Sequence, residues 1–242
     1  FGEITEVMSR QIDVPFVLPQ SAKYHLHAVQ TNNNILDVFV LEEKPKIVPI
    51  KWKMRKADRE YAYEGKLPIM RNNWSILPLS APYVIFIVQL VNGYLNRSYA
   101  FFRKEPLSTI DDPLLQAPLL NVHRFDSAIC VGDFDENVQN LKDLPYDKKV
   151  PIVIRRFQQH FWASTFNYGY GTTHKKVSAI NPVAKWSESS MKNPKFGLEV
   201  DWTPAGTTPR QVIDLASYYF ARTSWHPHVI VPRILALSKG QQ

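Results

Sequence analysis

Residues 83–102 are the most informative stretch for the fold and read YVIFIVQLVNGYLNRSYAFF. Two apolar runs flank the dipeptide Asn92-Gly93, which is a strong hairpin signal because both residues tolerate positive φ. The run Val84–Val88 is apolar without alternation, as is typical of a central strand covered on both faces. We therefore predict an antiparallel hairpin in which Val84–Val91 pairs with Tyr94–Phe102.

The chain before this hairpin has the patterns of further strands. Ala22–Val29 and Ile35–Leu41 alternate in polarity and are joined by an asparagine-rich turn, which predicts a second hairpin. Lys46–Met54 is a further candidate strand, whereas the two prolines in Trp74–Pro82 predict an irregular packed connection. With a short strand or extended arm over residues 1–20, these segments predict an antiparallel meander of four or five strands.

Beyond the meander the apolar spacing becomes helical. Apolar residues fall at steps of three and four from Pro151 to Phe166, which predicts a helix with Pro151 in its first turn. The capping box Thr208-Pro209-Arg210-Gln211 predicts a second helix over residues 209–221. The expected inward face of that helix consists of Val212, Leu215, Ala216 and Tyr219.

These patterns together predict an α+β fold, an antiparallel β-meander with helices packed on one face. We expect an α+β domain over residues 1–172. Residues 173–242 are expected to be a C-terminal extension that carries the helix at 209–221 and packs on the same body. Within it, residues 174–207 are expected to be irregular, with anchors at Trp186, Phe196 and Trp202.

Composition limits the class of protein without selecting a function. The formal charge of +7 gives a basic surface, compatible with nucleic acid, an acidic protein partner or an anionic lipid surface. A single cysteine excludes an intrachain disulfide framework and a cysteine-based zinc finger. No apolar run approaches the length of a bilayer span and no signal segment opens the chain, so we expect no membrane association. The expected location is the cytoplasm, or the interior of a virion or large complex.

Two histidine pairs have the spacing of metal ligands. His25 and His27 lie two residues apart on a predicted strand and therefore share a face, but no third ligand is near them in sequence. Solvated histidines are therefore the favoured interpretation of this pair. His226 and His228 flank Pro227, which favours a structural turn. We accordingly expect no metal and no cofactor.

The only cysteine, Cys130, lies in the stretch PLLNVHRFDSAICVGD at residues 118–133. A short apolar segment that ends at Gly132 suggests a brief extended piece followed by a turn. Taken by itself, a lone cysteine is more often a small buried apolar residue than a nucleophile. The residues around it therefore leave both interpretations open.

This stretch resembles the active-site segment of the ubiquitin-conjugating enzymes, and more closely that of the bacterial family typified by the PRTRC-system B proteins. The matching positions follow a Pro-Leu-x-Asn-Val…Cys-x-Gly pattern and are Pro118, Leu119, Asn121, Val122, Ile129, Cys130 and Gly132. Residues 161–166, FWASTF, match the aromatic helix of that family. The resemblance covers roughly residues 80–170. Cys130 lies nine residues after Asn121, one more than in the family, and Ser127-Ala128 replaces its glycine.

The resemblance implies a ubiquitin-conjugating-like fold and a pair of site residues, Cys130 and Asn121. Cys130 would carry a ubiquitin-like modifier as a thioester, and Asn121 would polarise the thioester carbonyl or order the loop. Since only a thiolate reacts well, a cationic His123 or Arg124 close to the sulfur would help.

Three hypotheses follow from the sequence. The first is a ubiquitin-like-protein transferase that uses Cys130. The second is an inactive derivative of the fold that serves as a scaffold or structural subunit of a larger assembly, for example one of phage or mobile-element origin. The third is a basic module associated with nucleic acid, suggested by lysines and arginines interleaved with aromatics at Lys51-Trp52-Lys53 and Arg97–Arg103.

Overall fold

The computed structural model describes residues 20–29, 34–54, 74–134, 140–167, 177–223 and 233–236. The predicted N-terminal arm lies almost wholly outside these residues, as do most of the asparagine-rich turn and the pair His226 and His228. The side chain of Tyr219 is also outside the described part of the structure.

Nine strands are described. In chain order they are β1 (Ala22–Val29), β2 (Ile35–Glu43), β3 (Lys46–Lys53), β4 (Trp74–Ala81), β5 (Tyr83–Val91), β6 (Tyr94–Arg103), β7 (Leu115–Gln116), β8 (Thr165–Phe166) and β9 (Arg233–Ala236). The predicted hairpin of β5 and β6 is confirmed. Its turn has positive φ at both central residues, 53° at Asn92 and 76° at Gly93.

The strands form two sheets instead of one continuous meander. The large sheet has the order β7-β6-β5-β2-β1-β9, and the small sheet has the order β4-β3-β8. β2 pairs directly with β5, because the β3–β4 hairpin that connects them folds away into the small sheet. The α+β class is confirmed, and the second sheet is the feature that the local patterns did not predict.

The expectation of an irregular connection at Trp74–Pro82 is wrong, because these residues form β4. Proline cannot donate a ladder hydrogen bond and is therefore tolerated mainly at sheet edges. β4 is the edge strand of the small sheet, and its Pro78 lies opposite Pro49 of β3. Pro78 and Pro49 thus form one cross-strand pair, and Pro82 lies just after the end of β4.

Four α-helices are described: α1 (Tyr146–Ala163), α2 (Val183–Lys192), α3 (Phe196–Glu199) and α4 (Pro209–Thr223). α1 begins five residues before the predicted start, so Pro151 lies inside the helix and not in its first turn. α1 also ends before Thr165, which enters β8. Its inward face includes Val150, Ile154, Phe157 and Phe161.

The expectation that residues 174–207 are irregular is wrong for α2 and α3. The sequence pattern did not predict α2, because polar residues, Ser187 and Ser190, lie on its buried face. The Ser190 hydroxyl donates to the Trp186 carbonyl at 2.7 Å and accepts from the backbone N–H of Ser80. These bonds remove the cost of burying the hydroxyl. Of the expected anchors, Trp186 and Trp202 are buried in the core.

The large sheet is covered on both faces. α1, the small sheet and α2 cover one face in a core that includes Phe39, Phe86 and Trp186. α4 covers the other face, where Val212, Ile213 and Ala216 contact residues of β2 and β5. Helices therefore pack on two faces, not one. The expected inward position of Leu215 is wrong, because its side chain is 48% exposed and Ile213 is buried in its place.

Candidate functional site

Cys130 lies on a loop that is attached to the edge of the large sheet. The loop follows β7, and Ile129 N–H donates to the Ser98 carbonyl of β6 at 2.8 Å. Ala100 of β6 donates back to the Ser127 carbonyl at 3.1 Å. These two bonds extend the ladder of β6 and place the residue after Ile129, Cys130, at the edge of the folded body. The Cys130 residue is exposed to solvent.

The main chain brings Asn121 and Cys130 together. The Cys130 N–H donates to the Asn121 carbonyl at 2.8 Å, and Val122 is bridged to Ile129. The residues between them turn back tightly, with Ser127 in the left-handed region at φ 61°. The turn thus brings the backbones of Asn121 and Cys130 next to each other.

The Asn121 side chain points away from open solvent and is buried. Its Nδ2 donates to Ser164 Oγ at 3.3 Å, and Ser164 Oγ donates to the Phe161 carbonyl at 2.8 Å. Within the described part of the chain, the Asn121 Oδ1 atom is buried without a hydrogen-bond partner. The Asn121 carboxamide thus connects the loop that carries Cys130 to the C-terminal end of α1.

His160 of α1 anchors the chain on the other side of Cys130. Its Nε2 donates to the Val131 carbonyl at 2.7 Å. Local sequence patterns indicated no role for His160, because its position three residues after Phe157 marked it only as part of a helix. Its imidazole ring holds the carbonyl of Val131, the residue that follows Cys130.

The two cationic residues suggested for Cys130 are engaged elsewhere. His123 Nδ1 lies 2.7 Å from Asp126 Oδ1, and the Arg124 guanidinium lies 4.3 Å from the centre of the Phe125 ring. Burial raises the pKa of Asp126, but hydrogen bonds from Ala128 N–H and His123 outweigh it and hold that pKa below its usual value. Phe125 is 75% exposed, so an aromatic ring projects beside the cysteine loop.

The interpretation of His25 and His27 as solvated residues is wrong. His25 is buried, and both rings contact the buried carboxylate of Asp37. His27 lies directly opposite Asp37 in the pairing of β1 with β2. The predicted hairpin already implied the contact between His27 and Asp37, because pairing of its two strands across the turn places these residues opposite each other. These three side chains could hold a metal ion.

The basic segments do not form an aromatic surface. Trp52 is fully buried between Lys51 and Lys53, and Tyr99 and Phe101 of β6 are also buried. Aromatic rings that pack in the core cannot stack on bases. The rings of Trp52, Tyr99 and Phe101 are therefore not available to bind nucleic acid.

Comparisons with protein-family models, with curated proteins and with solved structures find no match to this chain. Among the described residues, no helix combines the length and the apolar character needed to cross a membrane.

Proposed function

We propose that this chain is a ubiquitin-conjugating-like protein that carries the C-terminal acyl group of a ubiquitin-like modifier as a thioester on Cys130. The observation that carries the proposal is an exposed thiol on a loop held at both ends. β6 and Asn121 hold the chain up to Cys130, and His160 holds the Val131 carbonyl after it. A nucleophile fixed in this way is open to a large acyl donor.

The order of the elements also supports the proposal. The central strand pair is followed by a proline-containing loop, then Asn121, Cys130 and the long helix α1. This is the order that the resemblance to the ubiquitin-conjugating family implies. The β3–β4 hairpin folds into its own sheet, which shares a core with α1.

The proposed chemistry consists of two transfers. The Cys130 thiolate attacks the carbonyl carbon of an activated thioester, the new S–acyl bond forms, and the donor thiolate leaves. An amine then attacks the same carbonyl, an amide forms, the Cys130 thiolate is released and the amine proton passes to solvent. Asn121 acts as a positioning residue, because its side chain bonds Ser164 and its carbonyl holds the Cys130 N–H.

Acyl transfer from a defined donor tests the proposal. A short peptide that ends in Gly-Gly and is activated as a mercaptoethanesulfonate thioester is incubated with the folded chain, and the intact mass is measured. We expect one hydroxylamine-sensitive adduct, which is absent in Cys130→Ser. An unmodified protein whose Cys130 still reacts with iodoacetamide would contradict acyl carriage and favour the scaffold hypothesis.

The role of Asn121 has its own readout. In Asn121→Ala the thiol stays exposed, so alkylation by iodoacetamide should keep its rate. Transfer of the acyl group from Cys130 to added lysine should become at least several-fold slower, because the loop has lost its tie to Ser164. Asn140→Ala is the matched control, since Asn140 is exposed and bonds Arg156 of α1 without contacting the loop. Equal losses in both variants would rule out a specific role for Asn121.

A further inference from the structure

Three side chains of metal-binding type converge between β1 and β2. His25 Nε2 lies 2.6 Å from Asp37 Oδ1, and His27 Nδ1 lies 2.8 Å from the same oxygen. The three ligand atoms all lie within 4.8 Å of one another. The register explains the convergence, because His25 and His27 share a face of β1 and Asp37 is paired opposite His27 on β2.

The neighbours of the cluster hold it in place. Tyr146, the first residue of α1, donates its hydroxyl hydrogen to Asp37 Oδ2. The His25 ring stacks on Phe39 with 4.3 Å between centroids and an interplanar angle of 3°. Outer partners of this kind orient metal ligands, and a tyrosine on the second carboxylate oxygen leaves the first free to coordinate.

Asp37 is a buried carboxylate that a bound cation would stabilise further. The Asp37 side chain is completely buried, and within the described part of the chain its ion-pair partners are only His25 and His27. A buried carboxylate is unfavourable unless a cation or several hydrogen-bond donors compensate it, and a metal ion held by these three side chains would supply that positive charge.

We propose that His25, His27 and Asp37 bind a divalent first-row transition-metal ion, with Zn²⁺ as the preferred ion. Two imidazole nitrogens and one carboxylate oxygen form a zinc set that keeps a fourth position for water. Ligand atoms about 2.0–2.2 Å from a tetrahedral zinc lie about 3.3 Å apart, so Asp37 Oδ1 must move away from the two ring nitrogens by roughly 0.5–0.7 Å. Each ligating nitrogen must be free of its proton, which moves to the other ring nitrogen or to solvent.

Metal titration of the folded protein tests the site. The Cys130→Ser chain, without a tag and freed of metal by chelation, is titrated with Zn²⁺ by calorimetry and with Co²⁺ by visible absorption. We expect one equivalent of Zn²⁺ to bind and Co²⁺ to give the intense d–d bands of a four-coordinate site. Zn²⁺ should also raise the unfolding midpoint, because the native state alone holds the assembled ligands.

Two variants remove a ligand and keep a donor to Asp37. His25→Gln places an amide nitrogen near the position of Nε2, and His27→Asn places one near Nδ1. Each should weaken binding at least tenfold and abolish the shift in midpoint. His123→Asn is the matched control, since His123 also pairs with a carboxylate, Asp126, but belongs to no metal-type cluster among the described residues. That variant should bind like its parent.

Several outcomes would overturn the site. One is no saturable binding by the parent chain, which would make the cluster a hydrogen-bond network only. Another is full binding by both ligand variants, which would assign the metal to other histidines of the chain. Circular dichroism of His27→Asn, at a ring that is 16% exposed, verifies that loss of binding is not loss of fold.

Discussion

Asp37 carries a buried charge whose neighbours explain its ionised state. Hydrogen bonds from His25 and His27 hold its pKa below the model-peptide value of 3.8, against the effect of burial. A carboxyl whose pKa is lower in the folded than in the unfolded chain stabilises the fold above the unfolded value. This contribution is lost as the pH falls through the folded pKa.

Replacement of Asp37 with Asn should therefore destabilise the protein in a pH-dependent manner. We expect a loss of about 2–4 kcal/mol in the free energy of unfolding at pH 7, because the charged acceptor of three hydrogen bonds disappears. Urea denaturation with a chelator present measures the loss, and the gap from the parent should narrow below about pH 4. Asp126→Asn, at an exposed carboxylate that also pairs with a histidine, should cost less than about 1 kcal/mol. A gap that stays constant down to pH 2 would contradict the account of Asp37.

Gly93 combines a conformational and a steric requirement. Its φ is 76°, and an added Cβ would lie 3.1 Å from Lys149 Cδ and 3.3 Å from the Tyr146 ring. We expect Gly93→Val to cost about 1–3 kcal/mol in thermal or urea unfolding. Gly206→Val is the control, because Gly206 also has positive φ, 70°, with nothing within 4 Å of its Cβ position. Equal losses in the two variants would mean that the contact with α1 contributes nothing.

The elements that the sequence predicts well are those specified by their own residues. The β5–β6 hairpin depends on two apolar runs and Asn92-Gly93, and α4 depends on its capping box, so local patterns sufficed. β4 and α2 were missed because tertiary contacts override the local signal. Pro78 of β4 is accommodated by an edge position, and the buried Ser190 of α2 is satisfied by hydrogen bonds with Ser80 of β4 and with the Trp186 carbonyl.

The cap of α4 gives a prediction at this level. Gln211 N–H donates to Thr208 Oγ1 at 3.4 Å, and Thr208 N–H donates to Gln211 Oε1 at 3.0 Å. Thr208→Ala should cost about 1 kcal/mol in the free energy of unfolding. Thr207→Ala, one residue earlier and outside the capping box, should cost less. An unchanged midpoint in Thr208→Ala would show that the cap contributes no stability.

Contacts between distant parts of the chain tie the predicted extension to the rest. Trp186 Nε1 donates to the Ser80 carbonyl at 3.1 Å, and Gln116 N–H donates to the Thr203 carbonyl at 2.8 Å. α4 covers one face of the large sheet. Local patterns cannot predict such contacts, which join residues about 90–110 positions apart in the sequence. The hydrogen bond between Tyr146 and Asp37 was not predicted for the same reason.

One cooperative unfolding transition should follow from these contacts. Tryptophan fluorescence, to which the buried Trp52, Trp186 and Trp202 contribute, should change at the same urea concentration as far-ultraviolet circular dichroism. Two separated transitions would instead indicate that residues 173–242 unfold as an independent unit.

The candidate site was predicted in part. The residue pair Asn121 and Cys130 was proposed from a resemblance, and the structure places their backbones in contact. The exposure of Cys130 and the anchoring by Ser164 and His160 depend on how α1 packs, which no local motif specifies. The His25–His27–Asp37 cluster could have been predicted from the sequence, because it follows from the register of one hairpin.

The central claim is that the fold turns Cys130 into an acyl carrier, and a ratio of two rates tests it most directly. Transfer from the Gly-Gly peptide thioester to the folded chain is compared with transfer to a free peptide of residues 118–133, which contains the same Cys130. The account predicts that the folded chain accepts the acyl group faster, by about tenfold or more, because the loop holds the nucleophile in place. Equal or slower transfer to the folded chain would contradict it.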